Sequence, residues 1–132
     1  MLIDFISQGS FFIVLFIIAA YCIFKFNQPD GLAISTKDLV KMINQGNAKL
    51  VDIRDEASFN SGYILSSVSK DAKWLLSNLS SSSDILVIIC QNGSKSFKLA
   101  QKVMQKNQVK VFYLQGGIVA WSKSNLPMLN NK

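Results

Sequence analysis

From Phe11 to Phe24 every residue is apolar or aromatic, and no lysine or arginine precedes Lys25. Extended back to Phe5, the uncharged segment has twenty residues. As a helix it would cover about 30 Å, the thickness of a bilayer's hydrocarbon core. The ten Phe, Ile, Leu and Val side chains of the run favour insertion by about 3 to 6 kcal/mol, which outweighs Ser7, Gln8 and Ser10 near one interface. A cleaved signal peptide is the competing reading, but the segment begins with Asp4 and ends in Tyr21-Cys22-Ile23-Phe24 instead of a small-residue cleavage pattern. Residues 1–26 are therefore expected to form an uncleaved transmembrane α-helix that meets the lipid bilayer through residues 5–24. Because cationic residues begin at Lys25, the positive-inside rule puts the N-terminus outside and the rest of the chain in the cytoplasm, as a single-pass inner-membrane protein. Cys22 then lies in lipid, as a small apolar filler.

Beyond the anchor, composition narrows the chemistry. The 132 residues suffice for one domain of ordinary size. Of fourteen basic residues only Arg54 is an arginine, so bidentate phosphate or base recognition is disfavoured and no nucleic-acid partner is expected. No histidine occurs, which excludes Ser-His-Asp and Cys-His catalysis and His-containing zinc sites. Cys22 and Cys90 are too far apart for a CxxC pair, and neither a metal nor another cofactor is expected. Any nucleophile must be activated without imidazole.

The polar cluster Asn27-Gln28-Pro29-Asp30-Gly31 punctuates the chain, and residues 27–33 read as a linker to a domain spanning 34–132. Ser35 with Asp38 marks a helix start that runs to Gly46. Lys49 to Ile53 reads as a strand, Asp55 to Phe59 as a helical turn, Asp71 to Leu79 as a short helix and Ser80 to Ser83 as a loop. Ile85-Leu86-Val87-Ile88-Ile89 is an unbroken run of the kind buried on both faces of a parallel sheet, and should be the central strand. A helix from Lys95 to Lys106 follows, with Phe97, Ala100, Val103 and Met104 as its apolar stripe. A strand from Val109 to Leu114 and a helix through Trp121 complete the series. This alternation predicts a three-layer α/β fold with a mostly parallel central sheet, whose ligands bind beyond the strands' C-terminal ends.

Cys90 stands at such an end, directly before a helix. A strand, a loop with Gly93 and a helix N-terminus together curl backbone N–H groups toward one point, a nest that stabilises a thiolate and then an anion formed from it. The plain alternative is a cysteine that closes a buried strand.

Here the sequence resembles the rhodanese-like sulfurtransferase family, from Ile34 to Pro127. The family's active loop, Cys-x-x-Gly-x-Arg-Ser, appears as Cys90-Gln91-Asn92-Gly93-Ser94-Lys95-Ser96. Its Asp-Val-Arg motif, with a following aromatic residue and Gly-His-Ile, appears as Asp52-Ile53-Arg54, Phe59 and Gly62-Tyr63-Ile64. Its C-terminal Gly-Gly, Trp and Pro appear as Gly116-Gly117, Trp121 and Pro127. A single such domain behind an N-terminal anchor is similar to a group of small bacterial membrane proteins.

The resemblance implies that Cys90 takes a sulfane sulfur from a small donor such as thiosulfate, becomes a persulfide, and passes the sulfur to a thiophilic acceptor. Gln91, Asn92, Gly93, Ser94, Lys95 and Ser96 would cradle the substrate. Asp52 and Arg54 would either orient the loop or simply hold a strand end, and Gly116, Gly117 and Trp121 read as turn and core. Related phosphatases carry arginine six residues after the cysteine, where this chain has Ser96, so phosphatase chemistry is disfavoured. Lys95 stands in place of arginine, a point charge instead of a fork, which implies a looser hold on thiosulfate. Tyr63 replaces a histidine at a position expected to be structural, and Leu65 to Ser69 departs from the family's small-residue pattern. The lysines at 95, 98, 102 and 106 lie along one side of a helix, as a solvated face or a contact for anionic lipid or an acidic membrane-protein partner. Two other functions remain: a rhodanese-fold binding or regulatory module without turnover, and a thiol-stress sensor using Cys90.

Overall fold

The computed structural model describes residues 2–26, 32–79, 84–106 and 109–131, so the expected turn cluster at 27–31 and loop at 80–83 lie outside the described residues. The chain divides into two compact units, Met1–Asp30 and Gly31–Lys132. In the first, helix α1 (Leu2–Phe26) has 25 residues, a length of about 37 Å at roughly 1.5 Å per residue. It is long and apolar enough to cross a membrane. Apolar side chains are exposed on every side of it, from Leu2 and Phe5 to Ile23 and Phe24. The Ser10 hydroxyl donates to the Ile6 carbonyl at 2.8 Å, so this polar group is satisfied within the helix.

The second unit alternates β1 (Ala33–Ile34), α2 (Thr36–Gln45), β2 (Ala48–Asp52), α3 (Glu56–Ser61), β3 (Ser67–Ser69), α4 (Ala72–Ser77), β4 (Ile85–Ile89), α5 (Ser94–Lys106), β5 (Val111–Leu114) and α6 (Gly117–Lys123). The five strands form one sheet in the order β1-β5-β4-β2-β3, and every pairing is parallel. The sheet was expected to be mostly parallel, and β4 is central as its unbroken apolar run predicts. Strand alternation sends Val87 and Ile89 to one face, with Leu39 of α2 and Ile118 and Trp121 of α6. Leu86 and Ile88 go to the other face, with Leu75 of α4 and Leu99, Ala100 and Val103 of α5. Feeding both cores, each of these β4 side chains contributes roughly 1.5 to 3 kcal/mol of burial.

The Ser35 hydroxyl accepts from the Asp38 N–H at 3.1 Å, and Gly46 closes α2 in the left-handed region, as the sequence signals predict. Three particulars differ. Met104 is 52 % exposed, because α5 turns Ser96, Leu99, Ala100 and Val103 inward instead. Ala33, assigned to the linker, pairs with Tyr113 in β1. The segment Leu65 to Ser69 supplies the edge strand β3, beside β2. The last residues return across α3: Tyr63 and Leu129 exchange two backbone hydrogen bonds of 2.9 Å, and the Asn131 N–H donates to the Asn60 carbonyl. Tyr63 also stacks on Phe59 at 4.4 Å, a structural use of that position.

Candidate active site

β4 ends at Ile89 and delivers Cys90, only 3 % exposed, to a loop that becomes α5. The loop folds back over the sulfur. The Gly93 N–H donates to Cys90 Sγ at 3.0 Å and the Ser96 N–H at 3.4 Å. Ser96, fully buried, brings its Oγ within 3.1 Å of Sγ and also donates to the Gly93 carbonyl at 3.1 Å. With a neutral thiol, Cys90 donates to Ser96 Oγ while that hydroxyl serves Gly93. Ionisation leaves the hydroxyl able to turn to sulfur, so a thiolate collects up to three donors at the N-terminus of a 13-residue helix.

The loop is clamped from behind. The Ile118 N–H donates to the Cys90 carbonyl at 3.0 Å and the Val119 N–H to the Gln91 carbonyl at 3.1 Å. These orphan donors at the start of α6 thus satisfy the loop's outward carbonyls, which leaves its amides for the sulfur side. Gly117, at φ 59°, allows the approach: a Cβ there would meet the Cys90 carbonyl oxygen and would lie 2.7 Å from the Gln91 backbone. The Trp121 indole donates to the Pro127 carbonyl at 3.1 Å and holds the returning C-terminal segment.

In front of the cysteine lies a cavity of about 660 Å³. One wall is the loop, through Gln91, Asn92, Ser94 and Lys95; the other is the segment after β2, through Ile53, Arg54, Asp55, Ser58, Ser61 and Gly62; Ile118 and Met128 complete the lining. Arg54 is already occupied: its Nε and Nη2 donate to both Asp52 oxygens at 2.9 to 3.2 Å, and Nη2 donates to the Gly62 carbonyl at 2.6 Å. Side-chain exposures of 7 % and 0 % make this a buried pair that ties β2 to the end of α3. Asp55 is fully exposed, and its carboxyl is held below the ordinary range chiefly by the Ser58 hydroxyl. Lys95 makes no ion pair with any described residue. Among the described residues no three Cys, Asp or Glu side chains gather as a metal-ligand set.

The rhodanese-like domain model matches residues 35–124, most of the chain and all of the loop. The chain belongs to the rhodanese-like family. It is 32 % identical over 95 residues to a thiosulfate sulfurtransferase, GlpE, of Shewanella oneidensis, covering 70 % of this chain and 93 % of that one. It is 31 % identical over 106 residues to a sulfurtransferase of Allochromatium vinosum, covering 78 % and 94 %. In fold it is similar to a rhodanese-related protein from Thermoplasma volcanium, with a TM-score of 0.65, 20 % identity, and coverage of 74 % and 96 %.

The residues expected in the rhodanese-like loop are together, in distinct places. Gly93 and Ser96 are buried behind the sulfur, whereas Gln91 and Lys95 stand on the cavity wall. The Asn92 side chain accepts from both the Ser94 amide and hydroxyl, at 3.2 and 2.8 Å, so these two shape the loop's start. Asp52 does not line the cavity; its carboxylate holds Arg54, which does. Sequence reasoning missed Ile53, Asp55, Ser58, Ser61, Gly62, Ile118 and Met128. Asp55 was findable, since it follows the C-terminal end of the strand beside β4. Met128 was not, because only the Tyr63–Leu129 pairing brings it there.

Proposed function

We propose that the chain is a membrane-anchored sulfurtransferase whose Cys90 carries sulfane sulfur as a persulfide. The observation that carries this reading is the pair of amides on Cys90 Sγ, from Gly93 and Ser96, at the floor of an open cavity. As a thiolate, Cys90 attacks the outer sulfur of thiosulfate; the Sγ–S bond forms, the donor's S–S bond breaks, and sulfite leaves with the electron pair. The new terminal sulfur carries the negative charge, which donors aimed at the loop's centre are suited to stabilise. A thiophilic acceptor then attacks that sulfur and regenerates the Cys90 thiolate. Kinship to sulfurtransferases at about 30 % identity supports the class of reaction.

In the same reading α1 is an anchor that holds this chemistry at a bilayer, which its length and apolar composition support. Residues 5–24 span the inner membrane in this reading, with the N-terminus outside and the rhodanese-like domain in the cytoplasm, where thiols stay reduced. Transfer from thiosulfate to cyanide by the full-length chain tests the reaction. Turnover that disappears in Cys90→Ser supports it, and turnover that survives the substitution removes the mechanism.

A further inference from the structure

The cavity is far larger than thiosulfate and its charge is mixed. An ion of five heavy atoms fills on the order of 100 Å³, taking a water-sized volume of about 20 to 30 Å³ per heavy atom, against a cavity of about 660 Å³. Of the two cations on its wall, Arg54 is already bound to Asp52 and Gly62. Lys95 is the one cation of the described lining that is free of an ion pair. Opposite the loop, on the wall built after β2, Asp55 presents an exposed carboxylate that no lysine or arginine of the described chain pairs within 4.0 Å. A dianion entering here meets one positive and one negative side chain, so beyond the loop's amides the side-chain charges give it little net attraction. The lining also includes the apolar side chains of Ile53, Ile118 and Met128, which suit the short carbon and sulfur arm of a small donor.

We propose that the preferred sulfur donor is a zwitterionic aminothiol persulfide, its carboxylate on Lys95 and its ammonium on Asp55, with the terminal sulfur directed to Cys90. This rests on the sulfurtransferase reading and names its substrate class. The step balances without an added oxidant or reductant. The Cys90 thiolate attacks the terminal sulfur of R–S–SH, the Sγ–S bond forms, and the donor's S–S bond breaks. R–S⁻ leaves with the electron pair, while the proton stays on the transferred sulfur.

The experiment measures the initial rate of sulfur addition to Cys90 by intact mass, using the full-length chain in neutral detergent. Four probes are compared: thiosulfate, cysteine persulfide, cysteamine persulfide, which lacks the carboxylate, and 3-mercaptopropionate persulfide, which lacks the ammonium. Each variant is compared with the parent on the same probe, so differences in intrinsic donor reactivity cancel. Asp55 is exposed and its side chain makes no capping hydrogen bond to α3, so Asp55→Asn should melt like the parent. It should slow cysteine and cysteamine persulfides by roughly two- to fivefold, the range for an exposed charge pair, and should not slow thiosulfate. Lys95→Ala should slow cysteine and 3-mercaptopropionate persulfides by a similar factor and leave cysteamine persulfide unslowed. If both variants alter all four probes equally, or alter none, the inference fails while the sulfurtransferase reading stands. If no probe loads Cys90, both fail.

Discussion

Two glycines with the same backbone sign separate conformational cost from loop architecture. Gly46 and Gly117 have φ of 73° and 59°, yet a Cβ at Gly46 meets nothing within 4 Å, whereas one at Gly117 would strike the Cys90 and Gln91 backbone. Gly46→Ala should therefore lose about 1 to 2 kcal/mol, the cost of a left-handed alanine. Gly117→Ala carries that cost and must also push α6 away, which breaks the Ile118 and Val119 hydrogen bonds to the loop. At about 1 kcal/mol for each bond, its total is about 3 to 4 kcal/mol. For a domain of this size the melting temperature falls about 4 to 8 °C per kcal/mol. Thermal melts of both variants, with sulfur loading of Cys90 measured well below the transition, check the reasoning. Gly46→Ala should load normally, and Gly117→Ala should melt far earlier and load slowly even while folded, because the amides no longer converge on sulfur. Equal melts and equal loading would refute the view that α6 clamps the loop.

Lys95→Arg should lower the KM for thiosulfate by about fivefold, since a fork can hold two oxygens at once, and Lys95→Ala should raise it; steady-state rates decide. Arg54→Leu should lower stability by about 3 to 5 kcal/mol in a urea titration, because Asp52 would stay buried and uncompensated. Topology is best reported by Met104→Cys in a Cys22→Ala, Cys90→Ser background, because position 104 is exposed and Cys90 is not. A membrane-impermeant thiol reagent should miss it in intact cells and label it after lysis.

The parts of the fold readable from sequence were those with strong local signals. Ile85 to Ile89 announces a doubly buried strand because five consecutive apolar residues fit nowhere else in a small α/β domain, and Cys90 follows it by one residue. Ser35, Asp38 and Gly46 likewise fix α2 by local chemistry. β1 and β3 escaped because two residues, or Ser-Val-Ser, carry no periodic signal and become strands only by pairing with β5 and β2. Met104 was misplaced because 3.6-residue periodicity admits neighbouring faces, and packing under β4 chooses the one with Ser96. The same rotation divides the site: the loop motif names Gly93 to Ser96, but only the fold decides that Ser96 lies beneath sulfur while Lys95 faces the cavity. Gly116-Gly117 reads as a turn in sequence, and its contact with Cys90 and Gln91 is purely tertiary.

The central claim is that Cys90 holds sulfane sulfur. It is tested most directly by the intact mass of the full-length chain after incubation with thiosulfate or a persulfide donor. The account predicts one added sulfur, located on the peptide containing Cys90, removed by cyanide, and absent from Cys90→Ser. An unchanged mass with every donor, or a sulfur that persists in Cys90→Ser, would contradict it.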